Sequence, residues 1–450
     1  MKKYTTLETA LFVLLAFSII FFVFLVPPFQ KPDEEVHFYR ALNLASGNVF
    51  CTKARGNTLK IHSQYVEFVD KIHKMDLPLH KNNKFDISLY SKSQTIPLNS
   101  KIYNIDYQCS FPLISYIPQT VGVLIGSALS LGAVQIFFLG RFVLALIVFV
   151  WMFVLYKKCI KELRPLLTLV YFTPVFLQQV TSYGYDAINL LAAVTFFVLV
   201  SQYSKNMLAL LLSLLLVFIT KPGGYEPLIF LIFLIPYQTY SKSKLSYVKK
   251  IVMFLFILGI SYAAAKSNMW SAYKGIEQLR TDISPLANAL ALTSNPLNSL
   301  LLIIRTTIDR GPFYIQSTIG ILGWLEYSVG LLGYATYGLL LVYVLVTTKI
   351  PQALLYTKKQ IIYGSSFIGG YYVFFLALYY VIWNPADTLI IDGIQGRYFL
   401  PLLPFFYLTL IQLRHITAPK FNLSSRPAAM LLLAFFMILV TMFAIFSRYY

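Results

Sequence analysis

Apolar residues run through the chain in long stretches that short polar clusters interrupt, and the first stretch, Thr6 to Val26, is apolar almost throughout. A helix rising 1.5 Å per residue needs about 20 residues to cross the ~30 Å hydrocarbon core, and this stretch supplies them. Pro27, Pro28 and Phe29 follow in place of a small-residue cleavage site, so the segment reads as a retained span and not as a signal peptide. The pattern recurs near residues 135–156, 165–181, 186–203, 207–220, 225–240, 249–267, 328–348, 360–383, 398–413 and 428–447. Phe111 to Leu131 and Pro296 to Leu325 carry prolines and polar residues and suit interfacial or re-entrant helices as well as spans. The pattern predicts an all-α polytopic membrane protein of about 11 transmembrane helices, within a range of roughly 10 to 13. The first loop, residues 28–111, is the one segment long enough for sizeable structure outside the bilayer, and it is too irregular to read as a separate domain. The whole chain, 1–450, is read as a single transmembrane domain.

Charge sets the sidedness. With the N-terminus in the cytoplasm, the inner loops hold Lys2, Lys3, Lys157, Lys158, Lys161, Arg164, Lys205, Lys242, Lys244, Lys249, Lys250, Lys349, Lys358, Lys359, Arg414, Lys420 and Arg426, with only Glu8 and Glu162 as acids. The formal net charge of +19 therefore reads as positive-inside orientation, not as a nucleic-acid surface. Basic residues in loop 28–111 do not contradict this, because loops longer than about 60 residues cross regardless of charge. Only 12% of residues are charged against 58% hydrophobic, which leaves no room for a cytoplasmic nucleotide-using domain. TKPGGYE has neither the phosphate-loop nor the dinucleotide-binding spacing, and no 20- to 50-residue repeat is visible. Cys51 and Cys109 lie in the long loop and fit either a disulfide or two free thiols; Cys159 falls at an inner helix end.

Ionisable groups near hydrocarbon are costly and point to a polar cavity. Under this topology Arg141, Asp186, Lys221, Glu226, Glu326 and Arg397 fall near outer helix ends, on the same side as PPFQKPDEEVHFYRA, residues 27–41. Asp33 and Glu34 are the candidate acid/base pair, since a carboxylate at the mouth of a dry cavity accepts the proton of an attacking hydroxyl. Acids after a helix end also serve simply to solvate the chain. His37, three to four residues on, suits contact with a phosphate, orientation of a carboxylate, or a divalent cation held with the acids; no other cofactor is predicted. Arg141, Lys221 and Arg397 are cations suited to a phosphate leaving group, with interfacial snorkelling as the bland alternative. Asp186 opens a helix, where an acid also complements the N-terminal dipole. Tyr183, Tyr185, Tyr225 and Tyr398 lie inside these motifs, whereas Asp387 and Asp392 read as ordinary loop acids.

PPFQKPDEEVHFYRA, FLGRF around Arg141, YFTPVFLQQVTSYGYDA, FITKPGGYEPLIFLIFLIP, STIGILGWLE and IQGRYFLPLLP together resemble a bacterial multi-pass family of predicted membrane proteins. That family is similar to the GT-C superfamily of lipid-phosphosugar-dependent glycosyltransferases. The resemblance implies a GT-C-like fold with a long first extracytoplasmic loop in the plasma membrane. It also implies Asp33 as catalytic base with Glu34 beside it, polyprenyl-phosphate contacts from Arg141, Lys221 and Arg397, and Asp186 as the superfamily's acid after the third helix; His37, Tyr225 and Tyr398 are further substrate-binding candidates from their place in the motifs. The chain departs from mannosyl- and arabinosyltransferase relatives in reading FPLISYIP before the second span, and it carries no C-terminal soluble domain after the spans. The expected function is inverting transfer of a sugar from a polyprenyl-phosphate donor to a cell-surface glycan, glycopolymer or glycolipid. The expected partners are that donor lipid, the acceptor and membrane lipids, with no nucleic acid. The alternative is a transporter or lipid-linked-sugar flippase, which would favour discontinuous helices and an internal repeat.

Overall fold

The computed structural model describes residues 6–49, 57–78, 80–91, 101–107, 113–221, 223–236, 239, 248–249, 252–253, 255–257, 259–260, 263, 283–418 and 426–450. The chain opens with α1 (Thr6–Leu25), turns sharply and enters α2 (Glu34–Ala45). The long loop contributes β1 (Asn57–His62), α3 (Ser63–Lys74) and β2 (Ile102–Tyr107), with β1 and β2 antiparallel and Asn57 opposite Tyr107. Then come α4 (Ile117–Ala128), α5 (Ala133–Lys158), α6 (Arg164–Tyr171), α7 (Pro174–Thr181), α8 (Asp186–Ser201) and α9 (Met207–Thr220). A 3-10 stretch covers Glu226–Leu234, and α10 (Pro285–Ser294) meets α11 (Pro296–Ile319) at a 106° bend. After a two-residue strand pair the chain continues through α12 (Gly330–Thr347), α13 (Lys358–Trp383), a second 3-10 stretch (Gly396–Leu402), α14 (Leu403–Thr417) and α15 (Pro427–Tyr449).

Among the described residues six segments are long and apolar enough to cross a membrane: α1, α5, α12, α13, Gly396–Thr417 and α15. The bent pair α10–α11 makes a seventh if it is counted as one span. The expected eleven are thus met in part, and local causes account for several differences. Segment 165–181 breaks at Phe172–Thr173, where Thr173 is extended because the following Pro174 disfavours helical backbone before it. Segments 186–203 and 207–220 form α8 and α9, of 16 and 14 residues. At 1.5 Å per residue they reach only about 24 and 21 Å. Segment 225–240 is 3-10 helix over Glu226–Leu234. The run 249–267, Cys51 and Cys109 lie largely or wholly outside the described residues. The fold is mostly helical but not all-α: the long loop holds the β1–β2 pair packed with α2 and α3, a structure its irregular sequence did not announce.

Helix starts follow their caps. Asn206 accepts from Ala209 N, Ser284 precedes Pro285 and accepts from Ala287 N, and Thr357 with Gln360 makes a capping box for α13. α1 and α5 run antiparallel. Phe12 packs edge-on against Phe149, Phe153 and Tyr156 towards one end, where Glu8 pairs with Arg164 at 2.7 Å. Arg141 meets the carbonyls of Val23 and Val26 towards the other. That second end carries the motif residues.

The 3-10 turn holding Arg397 is fixed by close backbone approach. Gly396 N donates to Ser317 Oγ at 3.0 Å, Thr318 Oγ1 donates to Gly396 O at 3.1 Å, and a Cβ on Gly396 would overlap the backbone of Ser317 and Thr318. Backbone cannot swing aside as a side-chain tip can. Gly396→Ala is expected to cost about 3 kcal/mol, the upper range for overpacking, read as a lowered melting temperature of the detergent-solubilised protein.

Candidate functional site

The turn between α1 and α2 departs from ordinary backbone at two non-glycine residues, Phe29 (φ 63) and Asp33 (φ 66). Left-handed backbone costs of order 1–3 kcal/mol at such positions and persists only where the surroundings hold it. Glu34 supplies that hold. Its Oε1 accepts from Arg141 Nε at 2.8 Å and from Tyr183 N at 2.9 Å; its Oε2 accepts from Arg141 Nη2 at 2.6 Å and from Phe29 N at 2.9 Å. Arg141 spends its other donors on the carbonyls of Val23, Val26 and Pro27. Both side chains are 0% exposed. Trp324 Nε1 pins the other side of the turn by donating to Phe29 O at 2.8 Å.

This placement corrects two expectations. Glu34 is not a second carboxylate at a cavity mouth, and Arg141 is not a free cation for phosphate: each saturates the other, and together they tie the α1–α2 turn to α5 and to the Tyr183 loop. The reason is geometric. Glu34 opens α2, whereas Asp33 precedes it as the N-cap with left-handed backbone, so the two neighbours point to different surroundings.

Asp33 faces the other way. Its side chain is 56% exposed, and Oδ2 lies 3.6 Å from Arg397 Nη2. Arg397 is nearly buried, its Nε has no hydrogen-bond partner, and among the described residues its guanidinium donates no hydrogen bond. Its planar fork is therefore available for an oxyanion. Behind it lies Asp186, the first residue of α8, whose Oδ1 is 2.7 Å from Lys221 Nζ and whose Oδ2 is 3.3 Å from Lys31 Nζ. Asp186 draws on the positive end of α8, and Lys221, at the C-terminal cap of α9, on the negative end of α9. Asn189 Nδ2 stitches the two helices by donating to Val217 O and Thr220 Oγ1. Three rings close round the Lys221 ammonium: Tyr185 and Tyr398 at 4.8 Å and Tyr225 at 5.5 Å. Tyr225 also donates to Tyr398 O at 3.2 Å.

The structure thus gathers Asp33, Asp186, Lys221, Tyr225, Arg397 and Tyr398 with the unanticipated Lys31. Lys31 is wholly buried and also donates to Tyr183 O at 3.3 Å. Burial pulls its ammonium below the ordinary lysine value, with Asp186 opposing. Its sequence signal is a lysine set between Gln30 and Pro32 in the same PPFQKPDEE motif as the acids. Glu226 and Glu326 stand apart from this group. Glu226 braces its own loop through Gly223 N and Gly224 N, and Glu326 binds Arg448 at 2.9 Å and Tyr449. Asp392 pairs with Arg310 at 2.8 Å. Cys159 is a buried free thiol.

His37 lies in the same wall, its Nδ1 2.7 Å from the Tyr116 hydroxyl and its ring edge-on to Tyr185. Among the described residues no three His, Cys, Asp or Glu side chains gather as a cation cage would require. Burial, reinforced by the positive charge of Lys31, holds the His37 imidazole well below its usual range. The native protein then binds fewer protons than the unfolded chain once the pH drops below about 6.5, so stability falls with pH there, at up to about 1.4 kcal/mol per pH unit for one proton. Melting temperatures between pH 7.5 and 5.5 are expected to drop more in the wild type than in His37→Gln.

Phe24, Leu25, Leu131, Val134, Gln135, Phe138, Leu139 and Phe142 line an apolar groove of about 560 Å³ between the ends of α1 and α5. A family model described as "Predicted membrane protein (DUF2142)" matches residues 15–406. No curated protein and no solved structure matches the chain.

Proposed function

This chain belongs to that family of predicted membrane proteins, and from that premise we propose that it is an inverting glycosyltransferase of GT-C type. It takes a sugar from a polyprenyl-phosphate donor and passes it to a glycan, glycopolymer or glycolipid on the extracytoplasmic face of a bacterial plasma membrane. The observation that carries the reading is the juxtaposition of an exposed carboxylate, Asp33, with a nearly buried guanidinium, Arg397, that donates no hydrogen bond among the described residues. In the reaction the acceptor oxygen attacks the anomeric carbon, the carbon–oxygen bond to phosphate breaks, and the acceptor proton passes to Asp33. The electron pair leaves on the lipid phosphate, where Arg397 and Lys221 meet the developing charge. Tyr225, Tyr398 and Tyr185 hold Lys221, Asp186 orients it, and His37 with Tyr116 shapes the wall. The apolar groove beside α1 offers a berth of suitable character for a prenyl chain.

Incubation of the purified protein with synthetic polyprenyl-phosphate sugars and a surface-glycan acceptor tests the reading directly. Sugar-bearing acceptor is the expected product, and its absence across donors removes the reading. The broken helix at Thr173 and the short α8 and α9 favour a second reading, a transporter or lipid-linked-sugar flippase. Donor flux across liposomes without a glycan product would select it.

A further inference from the structure

Asp186 has two ammonium partners, and they differ in what they can reach. Lys31 is sealed: its side chain is 0% exposed, it donates to the carbonyl of Tyr183, and a Cβ on Gly184 would overlap its Nζ. Lys221 keeps 16% of its side chain exposed and is bordered by three tyrosine rings, with no backbone acceptor for its ammonium among the described residues. It shares the ring of Tyr398 with Arg397, the cation at the mouth. An anion arriving at Arg397 attracts Lys221, but Lys221 leaving Asp186 would expose an unpaired buried carboxylate next to a second negative charge. Lys31 removes that penalty, since it stays on Asp186 when Lys221 moves.

We propose that Lys31 is a positioning residue that retains Asp186 as a counter-ion, so that Lys221 exchanges its carboxylate partner for the phosphate of an incoming ligand. The exchange rests on the phosphate reading given above. With Lys31 present, the set Lys31, Asp186 and Lys221 carries one net positive charge and receives an anion without a free carboxylate; without Lys31 the remaining pair is neutral, and the phosphate competes with Asp186 for a single ammonium. Loss of Asp186 in that background should then restore binding, because the competitor has gone.

The test measures equilibrium binding of farnesyl monophosphate, and separately of inorganic phosphate, to the full chain in nanodiscs; the two probes separate a lipid phosphate from a free one. Lys31→Met is expected to weaken binding about tenfold, a difference of about 1.4 kcal/mol. Lys31→Met with Asp186→Asn should recover most of the loss. A purely structural role for Lys31 predicts instead that the double variant binds as poorly as Lys31→Met or worse, and that result overturns the exchange. Wild-type affinity in Lys31→Met overturns it too while leaving the phosphate site standing. If the wild type binds neither probe, the phosphate reading itself falls, and the exchange falls with it.

Discussion

Glu34→Gln and Arg141→Met should each destabilise the protein by about 3–5 kcal/mol, the usual loss when one member of a buried ion pair is removed and the other is left uncompensated. The reading is a fall in melting temperature and in monodisperse yield from detergent. The effect is expected to be this large because the pair does more than neutralise itself. Glu34 also holds Phe29 N and Tyr183 N, and Arg141 holds three carbonyls at the end of α1, so either loss frees a strained turn and several buried backbone groups at once. Arg141→Lys keeps the charge but loses the fork that serves both carboxylate oxygens, and should fall between wild type and Arg141→Met. Variants that melt like wild type would show that the turn is held by other contacts.

Under the proposed transfer reaction Asp33→Asn should fail in the opposite way, with the fold intact and sugar transfer reduced by about 10²- to 10⁴-fold, the usual contribution of a positioned general base. The site is more than half exposed, and asparagine accepts left-handed backbone about as well as aspartate, so stability should stay within about 0.5 kcal/mol of wild type. Melting and turnover measured on the same preparation separate the two neighbours: position 33 should lose turnover alone, position 34 should lose the fold. Full turnover in Asp33→Asn would remove its role as the base.

Much of this arrangement is legible in the sequence. The apolar runs of α1, α5, α12, α13, α14 and α15 stand out by length, and the charged motifs at their ends do converge, because an intramembrane Asp, Lys or Arg must find company. What sequence spacing leaves open is which charge meets which. Asp33 and Glu34 are indistinguishable as letters, and only the left-handed backbone at Asp33, together with the bidentate fit of Arg141, sends one to the surface and the other into the core. Lys31 escaped for the same reason: its partner lies 155 residues away at Asp186 and no local pattern links them. The break at Thr173 was readable from Pro174, whereas the short α8 and α9 were not, since an apolar run reads alike whether its helix stops at the polar site or crosses the bilayer.

The long loop also bears on the order in which the chain is built. Several of its residues are gripped by the end of α15: Arg448 donates to the carbonyls of Leu77, Lys81 and Asn83, Lys84 donates to Ser447 O at 2.7 Å, and Phe85 N donates to Tyr449 O at 2.7 Å. These partners are separated by more than 360 residues. At a synthesis rate of about 5–20 residues per second, the loop emerges tens of seconds before the helix that fastens it. Through that interval β1, β2 and α3 wait without their last clasp, so truncation within α15 would be felt first in a segment made near the beginning.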